Sequence, residues 1–399
     1  MNIPFSPPDI TEEEIEAVSQ TLRSGWITTG PKTKEIEKII ANNCQTNKAA
    51  ALNSATAALE LSLRLLGIKE GDEVITTAYT YTATASAAIH VGATVKMVDT
   101  FKDSFDMDYT QIAGLITEKT KAIICVDLAG IIYPYYEEIY KIIEAKRNLF
   151  QAESALQEKL GRIALISDSA HAFGATRNGV SCGSISDFSS FSFHAVKNLT
   201  TGEGGALTWK KELQLDDENL YKQLMLLSLH GQSKDALAKT KAGSWEYDIV
   251  APLYKCNMTD ICASIGVVQA KRYPQLLARR KEIINRYHQH FANTSIKGLN
   301  HYTDNASSSG HLYIATIEGV TLETRNKVIE EMGERGIATN VHYKPLPLLS
   351  AYKNLGFDIK NYPNAYHFFE QEITLPLHTL LRDEEVDYVA QNLLDIVEK

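Results

Sequence analysis

Residues 71–99, GDEVITTAYTYTATASAAIHVGATVKMVD, decide the fold. EVITT (73–77) is a short β-branched run, residues 82–90 are small and helix-compatible, and TVKMV (94–98) is a second β-branched run. A strand, a helix and a strand in so short a span form a crossover unit, with the two strands parallel in one sheet. The alternation continues in both directions. Before it, SATAALELSLRLL (54–66) reads as a helix that stops at Gly67; after it come KAIICVD (121–127), a helix over 136–147 and IALIS (163–167). Short β-rich runs at DFSSFSF (187–193) and GGALTW (204–209) close the series. Apolar strands separated by helices predict an α/β fold, a mostly parallel mixed central sheet covered by helices on both faces. Ligands of such sheets bind beyond the carboxyl ends of the strands.

Toward the amino terminus, Thr11-Glu12-Glu13-Glu14 reads as a capping box that opens a helix to about Arg23. Gly25 breaks that helix, and Pro31 sits where a first helical residue belongs. Toward the carboxyl terminus, a helical pattern from Met258 to Phe291 contains Pro274, which should kink or split it. HLYIATIE (311–318), a helix near 321–334, a strand near 338–343 and a helix near 383–397 predict a smaller C-terminal α+β domain. The expected division is a segment 1–30 packing with the small domain, a large domain 31–292 and a small domain 293–399. The polar stretch EAKRNLFQAESALQEKLGR (144–162) reads as an exposed helical excursion with no chemistry attached.

A chain of 399 residues exceeds one ordinary core, which agrees with a large and a small domain. Its 40 Lys and Arg against 49 Asp and Glu leave a formal charge of −9. That balance gives no general attraction for nucleic acid or for anionic membranes, though one local basic pocket is compatible with it. Cys44, Cys125, Cys182, Cys256 and Cys262 are scattered without a C-x-x-C pair, so they read as small apolar fillers, and no metal site is expected. The first residues lack the basic segment and apolar run of a secretory signal, and no 18-residue apolar window occurs. The expected location is the cytoplasm.

Three segments carry chemistry. ISDSAHAFGA holds Asp168 and His171 just after a buried strand; SFSFHAVKNLTTGEGGA holds Ser192, His194 and Lys197 before a glycine-rich turn; LNSATAAL opens a helix with Ser54, Ala55 and Thr56. The free N–H groups and dipole of a helix amino terminus suit a phosphate. A lysine amine can condense with an aldehyde, and a carboxylate against a pyridine nitrogen keeps that nitrogen protonated. Together these make the minimal protein equipment for pyridoxal 5′-phosphate. Each alone has a blander reading: Ser54 as a helix cap, Asp168 as a turn cap, Lys197 as a surface charge, His171 and His194 as structural histidines.

The three segments resemble the DegT-type nucleotide-sugar aminotransferases, a branch of the fold-type-I pyridoxal phosphate enzymes. The likeness starts at SGWITTGPKTKEIE (24–37) and continues through LNSATAALELSL, GDEVITTAYTYTAT and YKCNMTDICASIGVVQ (254–269). It ends with GIATNVHYKPL (336–346) and ITLPLHTLLRDEEVDYV (373–389). The resemblance implies that Lys197 tethers the coenzyme and shuttles protons, Asp168 pairs with the pyridine nitrogen, and His171 lies near the phenolic oxygen. It implies Tyr81 stacked on the ring, with Ser54, Ala55, Thr56 and Ser192 around the phosphate. Asn257 would reach the phosphate of a neighbouring subunit, which implies a homodimer with shared sites. His194 and His342 would line the sugar-nucleotide side.

FSFHAVKN further resembles the branch that aminates C4 of UDP-linked 4-keto sugars, including the UDP-4-amino-4-deoxy-L-arabinose aminotransferases. Relatives acting at C3 more often carry Tyr-Pro before the lysine and Gln three residues after the aspartate; here His194-Ala195 and His171 stand. The implied reaction moves an amino group from L-glutamate to a 4-keto nucleotide sugar destined for a surface polysaccharide or glycan. Alternatives are a 3-keto sugar aminotransferase and a non-catalytic regulatory protein on the same scaffold. A sugar 3-dehydratase of this fold would carry histidine in place of Lys197.

Overall fold

A seven-stranded sheet centres the computed structural model, which describes residues 1–233 and 246–398. Its strands are β1 (Ala49–Leu52), β2 (Glu73–Thr77), β3 (Thr94–Val98), β4 (Thr120–Val126), β5 (Ala164–Asp168), β6 (Phe188–Ser192) and β7 (Gly205–Trp209). They lie in the order β1-β7-β6-β5-β4-β2-β3, with β7 alone antiparallel to its neighbours. Strand β4 shows why its sequence is apolar without alternation. Ile123 and Cys125 join one buried cluster with Ile75, Leu165 and Phe191, while Ala122 and Ile124 join another with Val74, Ile166 and Leu207. Both faces of the sheet are covered, so truncating Ile123 or Ile124 to alanine would cost roughly 2–5 kcal/mol.

Helices α1 (Glu12–Ser24), α2 (Pro31–Asn43), α3 (Ala55–Leu65) and α4 (Thr82–His90) stand where the sequence puts them. Thr11 and Glu14 form the expected capping box, and Gly25 ends α1 at a φ of 75° that a side chain would strain. Pro31 opens α2, but Gly30 before it offers no side chain to cap the helix. The cap comes from 230 residues away. Asp260, 1% exposed, accepts from the N–H groups of Gly30 (2.8 Å), Lys32 (3.0 Å) and Thr33 (2.9 Å), and from the Thr33 hydroxyl (2.7 Å). Asp260→Ala is expected to lower unfolding free energy by about 2–3 kcal/mol, since several charge-assisted bonds vanish in the interior. Urea denaturation with an unmoved midpoint would show that this cap contributes nothing.

The helix carrying Asp260 runs unbroken from Asp260 to His290 with Pro274 inside it, so the expected split does not occur. Pro274 lies on the exposed face, whereas Tyr273 and Leu276 are buried. Neighbouring contacts hold the helix across the proline. Arg272 reaches Asp9 and Glu14, Gln269 reaches Glu14, and the Tyr273 hydroxyl donates to the Phe173 carbonyl at 2.6 Å. Cys44, Cys125 and Cys182 are buried free thiols.

A second sheet of three antiparallel strands, β8 (Ile296–Gly298), β9 (Tyr313–Ile317) and β10 (Glu372–Leu375), packs with helices Leu322–Glu334 and Asp383–Val397. Ile3 is buried in the same cluster and bridges to Ile337. The strand expected near 338–343 is absent: only single bridges form there, at Ile337 and between Asn340 and Thr374. Beyond Asn340 the chain leaves the sheet, and Pro345 supplies no N–H for a ladder. Residues 144–162 are mostly exposed, as expected, but only part of the stretch is helical. They form a turn at Arg147–Leu149 and a short helix Ala155–Leu160. Gln157 is buried and donates to the Leu66 carbonyl, and Lys121 Nζ donates to the Gln151 carbonyl. Gln157 thus serves as a buried connector within an otherwise exposed stretch, a use that composition alone does not reveal.

Candidate active site

Ser54, Val126, Asp168 and Ser192 follow or end β1, β4, β5 and β6, all on the same edge of the sheet. Beyond that edge lies a cavity of about 350 Å³. Ser54, Ala55, Thr56, Tyr81, Asp168, His171, Ser192, His194, Lys197 and His342 line it, segments from across nearly 290 positions of sequence. Asn257 is not among its lining residues. Its amide instead faces the Thr29 hydroxyl and the Met258 carbonyl, so the cavity of its own chain does not include it.

Helix α3 points its amino terminus at the cavity. The Ser54 hydroxyl accepts from Ala57 N–H, so the cap reading holds, and the first-turn N–H groups of Ala55 and Thr56 have no intrahelical acceptor. Gly205 makes the approach possible. A Cβ there would stand 2.2 Å from the Ser54 carbonyl carbon, so any side chain would push β7 and α3 apart. Ser192, at the end of β6, brings a hydroxyl to the same place.

Asp168 is 6% exposed. It accepts from the Thr84 hydroxyl at 2.7 Å and from Ala170 N–H at 3.2 Å, and the Thr80 hydroxyl in turn meets that of Thr84 at 2.8 Å. Burial raises its pKa, opposed by those bonds and by the charge of Lys197. A buried carboxylate in this state is stabilised by any cation presented to it. The Lys197 amine is pulled down to about 8, mainly because burial disfavours the ammonium, with Asp168 opposing the shift.

His171 Nδ1 accepts from Ala129 N–H at 3.2 Å, and its Nε2 lies 3.0 Å from the Tyr343 hydroxyl. Burial, then the charges of Lys197 and His342, hold His171 well below its ordinary pKa. The ring is therefore neutral near pH 7 with its hydrogen on Nε2, so Tyr343 accepts and its own hydroxyl hydrogen is free to point into the cavity. His342 is likewise lowered, to about 4, chiefly by burial, and its Nδ1 meets the Thr374 hydroxyl at 3.0 Å. Tyr81 caps α4, is 59% exposed, and its ring lies 5.9 Å from that of Tyr343. His194 is exposed at the rim, 3.7 Å from Glu203.

Sequence reasoning missed Thr84, Tyr343 and His311. Thr84 sits inside the α4 pattern and Tyr343 beside a recognised histidine, so each had a position but no separate signal. His311 Nε2 stands 3.4 Å from Lys197 Nζ and had none. Among the described residues no cluster of three or more metal-ligating side chains occurs, and no helix is long and apolar enough to cross a membrane.

The donor set fits pyridoxal 5′-phosphate: a half-buried amine of lowered pKa, a buried carboxylate wanting a cation, and a helix amino terminus with a hydroxyl for a dianion. An α/β scaffold with these groups at the carboxyl edge of its sheet defines the class of pyridoxal phosphate-dependent enzymes. The chain belongs to the DegT/DnrJ/EryC1/StrS aminotransferase family, whose sequence model matches residues 8–394. It is similar to Spr1654 from Streptococcus pneumoniae, a protein assigned to the sugar aminotransferases. Against the PMP form the identity is 60% and the TM-score 0.97, covering 100% of this chain and 99% of that one. Against the PLP form the identity is 58% and the TM-score 0.96, with the same coverage. Helicobacter pylori PseC, an aminotransferase involved in the biosynthesis of pseudoaminic acid, is 28% identical with a TM-score of 0.85 over 100% of both chains. The spore coat polysaccharide biosynthesis protein SpsC of Bacillus subtilis is 36% identical over 99% of this chain and 97% of that protein.

Proposed function

We propose that this enzyme transfers an amino group from L-glutamate to the C4 ketone of a UDP-linked 4-keto sugar, in the making of a surface polysaccharide or glycan. The observation that carries the catalytic part is the half-buried Lys197 amine in one cavity with Asp168 and the amino terminus of α3. The regiochemistry rests on FSFHAVKN, whose His194 stands at the rim, and on His171. SpsC, named for polysaccharide biosynthesis, and PseC, named for a sugar acid, lend support to the destination. In this reading two copies pair in the cytoplasm, Asn257 of each serving the other's phosphate. The chain divides at about residues 30 and 292.

When bound, the coenzyme supplies an electron sink for the carbon from which a proton is removed. The residues around it do the rest. The N–H groups of Ala55 and Thr56, with the hydroxyls of Thr56 and Ser192, bind and neutralise a phosphate; Ser54 holds the helix end that presents them. Asp168, kept in place by Thr84 and Ala170, holds a proton on the ring nitrogen. Tyr81, at the cavity wall, would lie against the ring and shield one of its faces. Neutral His171 and Tyr343 offer a hydrogen bond to the phenolic oxygen. Lys197 carries the amine that tethers the coenzyme and, once released, moves protons between substrate carbon and coenzyme. His194 and His342 orient the sugar nucleotide.

A lysine at about 8 has a definite consequence for pH. Only its neutral amine condenses with an aldehyde, about one tenth of it at pH 7 and about nine tenths at pH 9. Coenzyme capture by protein stripped of it is therefore expected to speed up as pH rises through 8, levelling above 9. Stopped-flow capture rates that stay flat from pH 7 to 9 would contradict a lowered pKa at Lys197.

Substrate assignment is tested with a panel of 4-keto and 3-keto nucleotide sugars, UDP- and dTDP-linked, each with glutamate, with products read by mass. Amination of UDP-linked 4-keto sugars is the expected outcome. Turnover confined to 3-keto sugars would sink the C4 assignment while leaving the aminotransferase chemistry intact.

A further inference from the structure

The amine of Lys197 is half-buried against the cavity, and when it is not bonded to the coenzyme a hydrogen-bond partner is needed to fix its orientation. The group nearest to it on the side of the second sheet is His311, two residues before β9, which is 4% exposed. Its Nε2 lies 3.4 Å from Lys197 Nζ. The tautomer of this ring is decided by a residue on the other side. Asn198 Nδ2 donates to the Ser309 carbonyl at 2.7 Å, which turns its side-chain oxygen toward His311 Nδ1, 2.9 Å away. Nδ1 therefore carries the hydrogen, and Nε2 presents a lone pair to the lysine.

The ring is held from several directions. His311 N–H donates to the Ala129 carbonyl at 2.9 Å, Ser309 N–H to the Gly130 carbonyl at 3.0 Å, and the Ser309 hydroxyl to the His171 carbonyl. Gly130 has φ 93°, and a Cβ on it would stand 2.2 Å from Ser309 Oγ, so the loops meet only because that residue is glycine. The His171 and His311 rings lie 4.4 Å apart. Burial holds His311 well below its ordinary pKa, reinforced by the charges of Lys197 and Arg280, so its lone pair persists at neutral pH.

We propose that His311, locked as an acceptor by Asn198, receives one N–H of the Lys197 amine whenever that amine is released from the coenzyme, and so aims its lone pair at the reacting carbon. His311 is a positioning residue, acting through Lys197. This rests on Lys197 being the tethering lysine, as proposed above. The other titratable groups around that amine are Asp168 on β5, His171 after it, and His342 with Tyr343 beyond Asn340; Arg280 of the long helix faces His311.

The test uses the full chain loaded with pyridoxamine 5′-phosphate, in which Lys197 is not bonded to the coenzyme. In wild-type protein carrying ¹⁵N-histidine, His311, assigned by its loss in His311→Gln, should show the Nδ1–H tautomer; the Nε2–H tautomer overturns the proposal. Competitive acetylation, read by mass on the Lys197 peptide, gives the titration midpoint of the amine. His311→Leu removes an acceptor from the ammonium and should lower that midpoint by about 0.5–1 unit, while kcat falls on the order of 10-fold with KM little changed. A lower midpoint makes more neutral amine, so a falling rate cannot come from protonation. His311→Gln offers an amide oxygen and should restore most of both. An unmoved midpoint in His311→Leu, or a glutamine variant no better than leucine, overturns the proposal; should the leucine variant not fold, the tautomer still decides. Borohydride reduction of the pyridoxal form separates the two readings: no adduct on Lys197 sinks the function proposed above, whatever His311 does.

Discussion

Lys197→Ala is expected to abolish amino transfer, with a loss on the order of 10⁴-fold or more, and to remove the visible absorbance of the tethered coenzyme. Among the described residues no second lysine lines the cavity, so no other amine there can take over either the tether or the proton transfer. The fold should survive. Lys197 lines the cavity and is only half-buried, so alanine there removes no core packing. The measurement is a glutamate-driven half-reaction followed by absorbance, beside a thermal melt that verifies folding. Wild-type turnover by a folded Lys197→Ala protein would remove the chemical basis of the whole assignment.

Asp168→Asn is the second large effect. The substitution keeps the shape and an oxygen for the Thr84 hydroxyl but deletes the charge that, as proposed, would face the ring nitrogen. Anion binding at α3 does not involve Asp168, so pyridoxal 5′-phosphate should still bind, more weakly. Proton removal should slow on the order of 10²–10³-fold, because the nitrogen no longer holds its proton against carbanion formation. A reconstitution titration and single-turnover kinetics divide the two quantities. Loss of coenzyme binding with an unaltered rate in the bound fraction would reassign Asp168 to structure. Thr84→Val, which removes the 2.7 Å bond without touching the carboxylate, should show a smaller loss in the same direction.

The fold was legible because its signal is local. AIIC (122–125) within β4 is apolar on both faces since both faces of the sheet are covered there, and EVITT and TVKMV are β-branched runs, signals that need no knowledge of what covers them. Site residues at strand ends were legible for the same reason: Asp168 and Ser192 each end a strand, and Ser54 precedes a helix. The errors fell where long-range contacts overrode local rules. Pro274 sits inside an intact helix because Arg272, Gln269 and Tyr273 are bonded to other parts of the chain. Residues 338–343 are β-compatible in sequence, yet Asn340 alone of them bridges to β10.

Sequence by itself thus determined the sheet, its edge and the amine, carboxylate and helix end placed there, because side-chain periodicity and strand termini are properties of neighbouring residues. Only the tertiary structure decided that Asp260 caps α2 from 230 positions away, that Tyr343 meets His171 across 172, and that His311 turns its lone pair to Lys197 across 114. Those pairings exist only once two sheets and their loops have closed on each other. A hydrogen bond depends on distance and angle in space, and separation along the chain leaves no pattern in the residues between.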